Sequence, residues 1–86
     1  PYRGESVMAT LRVLYFASLR DAAGGDGETI DHNGDLRSLY LALQAKHGFA
    51  LPVDRLRVAV NGAFARWDGG ADDGAEVAFI PPVSGG

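Results

Sequence analysis

The spacing that most limits how this chain can fold is a single apolar stripe. Behind Asp35, the residues Leu36, Leu39, Tyr40 and Leu43 recur at i, i+3, i+4 and i+7, the repeat of an amphipathic helix. Asp35 is placed to cap that helix. His47 falls in the predicted last turn, where partial positive charge suits the helix dipole, and Gly48 supplies the stop. A helix with one apolar stripe needs one surface to bury it, so a small sheet packed on one face of the helix follows.

The remaining segments read as strands and turns. Thr10–Phe16 is rich in β-formers, and Glu28-Thr29-Ile30 is a short strand. Between them Ser18 is placed to cap a helical turn over Leu19–Ala23, ended by Gly24-Gly25. Phe49–Leu56 is a loop containing Pro52. Arg57–Val60 is a strand, Asn61-Gly62 a strong hairpin signal, and Ala63–Trp67 the returning strand. After a loop over Asp68–Gly74, Ala75–Ile80 is the last strand. The expected class is α+β: a mixed sheet of about five strands on one main helix, the β-grasp or ubiquitin-like layout. Residues 1–7 precede Met8 without periodicity and read as an expression remnant or an upstream extension. The domain is then 8–80, and 81–86 is an extended tail.

Composition removes several function classes. The chain has 86 residues, enough for one small domain, with 47% apolar residues and a net charge of −3. No basic patch is available for phosphates, so nucleic acid is not an expected partner. The absence of cysteine removes disulfides, thiolate metal sites and a cysteine nucleophile, and fits a reducing, cytoplasmic setting. No segment approaches the roughly 20 apolar residues of a membrane span, and no signal peptide is evident.

Because side chains alternate across a strand, one charged residue labels the solvent face. Arg12 places Leu14 and Phe16 outward and leaves Leu11, Val13 and Tyr15 for the helix. Arg66 places Phe64 outward and Ala63, Ala65 and Trp67 inward. Glu76 places Ala78 and Ile80 outward and Val77 and Phe79 inward, and Arg57 leaves Val58 and Val60 inward. Phe16, Phe64 and Ile80 are therefore large apolar residues on the solvent side. They read as a docking patch that presents the tail to a partner, unless a bulge shifts the register or a loop covers them.

The tail itself is Pro81-Pro82-Val83-Ser84-Gly85-Gly86. Prolines 81 and 82 lack an N–H, so they end the sheet ladder and keep the chain extended. Gly85 and Gly86 have no Cβ and fit a slot too narrow for a side chain. From Val83 onward the tail spans roughly 13 Å at about 3.3 Å per residue, enough to place its carboxylate in another protein's active site. A frayed terminus is the bland alternative.

Other candidates are ordinary. His47 reads as a helix-terminus residue and His32 as a loop residue, and neither has metal-ligand spacing. Asp72-Asp73 before Gly74 is turn chemistry, and Trp67 a core residue. Gly24-Gly25-Asp26-Gly27 lacks the Lys-Ser/Thr of a phosphate loop.

Three stretches carry a resemblance: Val13-Leu14-Tyr15-Phe16-Ala17-Ser18-Leu19-Arg20, Ala59-Val60-Asn61-Gly62, and Asp73–Ile80 with the Pro-Pro-Val-Ser-Gly-Gly ending. They resemble the small subunits of molybdopterin synthases, the MoaD/ThiS-type sulfur carriers, over essentially all of 8–86. Ala75 departs from the acidic residue expected at its position. The resemblance implies that Gly86 is the reacting residue: an E1-like adenylating enzyme uses ATP and Mg to adenylate its carboxylate, and a sulfur donor protein converts it to a thiocarboxylate. The carrier then docks on the large subunit of the synthase, in a heterotetramer, and its tail enters that active site through Pro81, Pro82, Val83, Ser84 and Gly85. Sulfur passes to a cyclic pterin precursor in molybdenum cofactor biosynthesis. The catalytic groups belong to the large subunit, and this chain binds no cofactor or metal of its own. Three alternatives stay open: a carrier for thiamine or tRNA thiolation, a ubiquitin-like modifier joined to lysines, and a binding module with an inert tail.

Overall fold

Alternating apolar residues carry Ala9–Tyr15 into the first strand, β1, of a sheet whose buried side holds Leu11, Val13 and Tyr15. The structure, a computed structural model, describes residues 9–82; the extension 1–7, Met8, and the tail residues Val83, Ser84, Gly85 and Gly86 lie outside the described residues. After β1 come α1 (Ser18–Ala23), β2 (Gly27–His32), α2 (Leu36–His47), a 3-10 turn (Val53–Arg55), β3 (Arg57–Val60), β4 (Ala63–Ala65) and β5 (Glu76–Ile80). The five strands form one sheet in the order β2-β1-β5-β3-β4. β1 and β5 run parallel, and the other neighbours are antiparallel.

Helix α2 starts where Asp35 accepts a hydrogen bond from Ser38 N at 2.8 Å and stops where Gly48, at φ 75°, donates its N–H to Gln44 O. Its stripe of Leu36, Leu39, Tyr40 and Leu43 is fully buried against Leu11, Val13, Val58, Val77 and Phe79. Burying each such side chain contributes about 1.5–3 kcal/mol. Aromatic contacts tighten this layer. Phe79 packs edge-on against Tyr40 at 5.3 Å and lies nearly parallel to Trp67 at 5.9 Å. Trp67 thus supports the core, as its sequence context suggests.

Several local expectations need correction. Ser18 does not cap α1; it is the first helical residue. Ala17 stands at the cap position with φ 53° and ψ −124° and offers no side-chain bond, because the chain reverses sharply as it leaves β1. The second strand extends beyond Glu28–Ile30 to His32, since the whole Gly27–His32 run pairs with β1. His32 is therefore a strand residue. The segment 49–56 is not merely a surface loop: it contains the 3-10 turn, and Phe49 and Leu56 are buried. The returning strand is only Ala63–Ala65, at the edge of the sheet, so Ala63 shares the inward face with Val60 yet remains exposed. Ala75 is buried, at a place where a carboxylate would lose its hydration.

Candidate functional site

One row of residues crosses the open face of the sheet. Leu14 pairs with Ala78, Ala78 with Ala59, and Ala59 with Phe64. Two alanines therefore lie between larger side chains, and a groove of about 260 Å³ runs over them. Leu14 and Phe16 form one wall and Phe64 the other, with Ile80 at one end and Glu76 at the other end. Phe16 is 45% exposed and Phe64 68%. Ile80 is half-buried. The structure thus gathers all three residues of the expected patch around one concavity, and none of them packs against α2. The alanine floor has no counterpart among the sequence expectations; a small residue carries no sign of the groove it permits.

The walls are held from below. Asn61 and Gly62 take φ 51° and 87° in the β3–β4 turn, the left-handed pair of a type I′ hairpin. Asn61 Oδ1 accepts from Glu76 N at 2.9 Å, and Asn61 N donates to Glu76 O at 2.8 Å. These bonds tie the hairpin to β5 and fix the strand that carries Phe64. The guanidinium of Arg57 lies 5.4 Å from the centre of the Phe64 ring, a contact of about 0.5–1 kcal/mol at an exposed site.

β5 is the centre of the sheet, bonded to β1 on one side and β3 on the other. The ladder ends at Ile80, and Pro81, half-buried, and Pro82, exposed, follow. A second cleft of about 400 Å³ opens at this tail root, lined by Asp54, Arg55, Leu56, Arg57, Ile80, Pro81 and Pro82. Ile80 lines both concavities, and Arg57 of the cleft reaches the groove wall at the Phe64 ring. The expected reacting residue, Gly86, and Val83, Ser84 and Gly85 before it lie outside the described residues.

The groove holds little of its own chemistry. Its single titratable lining residue is Glu76, at the rim. Among the described residues no cluster of three or more His, Asp or Glu side chains could hold a metal ion. His32 bonds to Ser38 Oγ at 3.1 Å and Asp35 O at 3.2 Å. Asp73 accepts from Thr10 N at 2.7 Å and Asp72 O from Ala75 N at 2.9 Å, so this pair shapes a turn. Gly24, at φ 78°, closes α1 and leads into no phosphate-binding helix. The most perturbed carboxyl, Glu28, lies on the helix side of the molecule, where Tyr15, Lys46 and His47 converge on it. No helix of the described residues is long and apolar enough to cross a membrane.

Five strands grasping one helix, with the central last strand running into the terminal segment, define a ubiquitin-like β-grasp protein whose open sheet face is its candidate docking surface. The chain belongs to the ThiS family, whose profile matches residues 13–86. The molybdopterin synthase sulfur carrier subunit of Escherichia coli is 35% identical over 88% of this chain and 99% of its own length. A putative molybdopterin converting factor subunit 1 from Pyrococcus furiosus superposes with a TM-score of 0.73 at 30% identity, covering 87% of this chain and 99% of the other. The small archaeal modifier protein 1 of Haloferax volcanii gives a TM-score of 0.73 at 28% identity, again over 87% and 99%.

Proposed function

We propose that this chain is the sulfur carrier subunit of a molybdopterin synthase and that it works in the cytoplasm with Gly86 as the reacting residue. One observation carries the reading. Ile80, the last residue of the central strand, lies in the apolar groove and is followed directly by Pro81 and Pro82. A partner that covers the groove therefore receives the tail. The name of the Escherichia coli relative supports both the sulfur and the subunit role.

The chemistry asks little of the chain beyond its terminus. A carboxylate is a poor acyl donor, so a separate E1-like enzyme activates it: a Gly86 oxygen attacks the α-phosphorus of ATP, pyrophosphate leaves, and an acyl-adenylate forms. Sulfide-level sulfur released by a donor protein attacks the acyl carbon, AMP leaves, and a thiocarboxylate remains at Gly86. The large subunit then takes up the tail and passes the sulfur to the pterin precursor. Ordering each tail residue in a narrow channel costs about 1–2 kcal/mol. The groove, with Phe16, Phe64 and Ile80, supplies the binding that offsets it.

The test is an intact mass spectrum after incubation with the adenylating enzyme, ATP and a sulfur source. The expected result is the mass gain of one oxygen replaced by sulfur, absent when Gly86 is deleted. An unchanged mass, with the enzyme active on another carrier, would overturn the reading. The likeness to an archaeal modifier favours one second reading, conjugation of Gly86 to lysines; isopeptide-linked products in cells without a thiocarboxylate form would select it. A carrier for thiamine or tRNA thiolation would give the same mass change and differ in the acceptor.

A further inference from the structure

The cleft at the tail root is distinct in character from the sheet-face groove. Its floor is apolar, made by Leu56, Ile80 and Pro81, while Arg55 and Arg57 stand exposed at its edge with a single acid, Asp54. Among the described residues neither arginine joins an ion pair, as is also true of Arg12 and Arg37, whereas Arg20, Lys46 and Arg66 each do. The chain as a whole has a net charge of −3. At the other end of the β1–β5 pair, Asp31 of β2 and Asp73 both bond to Thr10, and Asp72 lies beside Asp73 in its turn. The molecule thus places acids at the start of β1 and, beside the tail root, two guanidiniums that form no ion pair among the described residues, one of them stacked on Phe64.

We infer that the tail-root cleft takes an acidic segment of the partner subunit, with Arg55 and Arg57 as its charge contacts; this rests on the carrier reading above and extends its docking surface. Guanidinium stays charged at every working pH and presents a planar fork of donors that matches a carboxylate. Ile80 lines both the cleft and the groove, and Arg57 of the cleft touches the groove wall at Phe64, so a protein surface that covers the groove lies beside the cleft. The apolar floor of Leu56, Ile80 and Pro81 strengthens a charge contact at its edge once water is displaced. The division of labour is then clear. The groove governs how long the complex lasts, while the arginines steer the carrier so that its tail end arrives first.

The experiment measures association and dissociation of the full chain with the cognate large subunit at low and high salt. Wild type is compared with Arg55→Glu, with the Arg55→Glu/Arg57→Glu pair, and with Phe64→Ala. The double reversal is expected to slow association about tenfold at low salt and to flatten its salt dependence. Arg55→Glu alone, which leaves the Arg57–Phe64 contact in place, is expected to give part of the same effect. Phe64→Ala is expected to speed dissociation and keep the salt dependence. Unchanged association and salt slope in both arginine variants, or faster association, would overturn the inference while leaving the carrier reading intact. Failure of the wild type to bind would instead remove the carrier reading, and this inference with it. Unchanged circular dichroism and melting of the variants show that the effect is not one of folding.

Discussion

The hydroxyl of Tyr15 donates to Glu28 Oε2 at 2.6 Å, and through that carboxylate β1 is joined to the end of α2. Lys46 Nζ donates to Oε1 at 2.6 Å and His47 Nε2 lies 2.5 Å from Oε2. Three elements, β1, β2 and α2, therefore meet at one side chain. Burial works against the charge on Glu28, but the hydrogen bonds from Lys46, Tyr15 and His47 outweigh it and hold the carboxyl down to about 2. Burial, and then the neighbouring carboxylate, push the Tyr15 phenol well above its usual range, so it remains a donor.

A carboxyl held below its unfolded value of about 4.3 adds stability above that pH and loses it as the pH falls through the folded value. Wild-type stability should therefore drop between about pH 5 and pH 2, in part through this one group. Glu28→Gln should lower stability at pH 7 by about 1–3 kcal/mol, because it weakens charge-assisted bonds at a partly buried site. The gap between variant and wild type should close in acid. Thermal unfolding at pH 7 and near pH 2 measures both; a gap of equal size at the two pH values would refute the assignment.

Phe64 is expected to matter for binding and hardly at all for folding. Its ring is more than half exposed and touches Arg57 rather than α2. Phe64→Ala should leave unfolding within about 0.5 kcal/mol of wild type and weaken docking by more than about tenfold if the ring is an interface anchor. Ala78→Leu offers an independent check, since it fills the groove floor without removing an apolar contact. Calorimetric titration against the large subunit distinguishes them from bystanders: unchanged affinity in both variants would show that the groove is not the docking surface.

How far the sequence disclosed this arrangement depended on periodicity. The helix stripe repeats every three to four residues, so Leu36, Leu39, Tyr40 and Leu43 were legible as core. Arg12, Arg66 and Glu76 labelled the solvent face of their segments, which exposed Phe16, Phe64 and Ile80 as misplaced apolar residues. Phe49 and Leu56 escaped because irregular backbone has no period to read. Ala59 and Ala78 escaped for a different reason: the groove they make depends on cross-strand register, set by pairing between β1, β5, β3 and β4. The convergence on Glu28 was equally hidden, since its partners lie 13, 18 and 19 positions away in sequence. The cleft beside Arg55 and Arg57 combines both causes, an irregular segment and a long-range neighbour.

Ala17 is a site where replacement should improve the protein. At φ 53° and ψ −124° its Cβ sits in a region that suits glycine, and such conformations cost a non-glycine residue about 1–3 kcal/mol. Glycine removes that cost while adding freedom to the unfolded chain worth about 0.5–1 kcal/mol. Ala17→Gly should therefore raise stability by about 1 kcal/mol, read as a higher urea midpoint at unchanged slope. Ala17→Val should lower it. A destabilised glycine variant would mean that the methyl group, not the backbone, decides this turn.

The loop that carries the tail-root cleft is held to α2 by two side chains, and they should prove coupled. Tyr40 donates its hydroxyl to Leu51 O at 2.6 Å, while Gln44 Nε2 donates to the same oxygen at 3.1 Å and to Phe49 O at 3.2 Å. Tyr40→Phe removes one donor and leaves the Leu51 carbonyl still bonded, so it should cost only about 0.5–1.5 kcal/mol. Gln44→Ala leaves Phe49 O without its side-chain donor but keeps Tyr40 on Leu51. Removing both strips a partly buried carbonyl of its side-chain donors, so the double variant should lose more than the sum, by at least about 0.5 kcal/mol. Because this segment leads into Arg55 and Leu56, the double variant should also exchange its amide hydrogens over 49–56 faster than wild type at equal distance from unfolding. Simple additivity with unchanged exchange would mean that buried Phe49 and Leu56 alone hold the loop, and that its polar anchors serve only to satisfy the backbone.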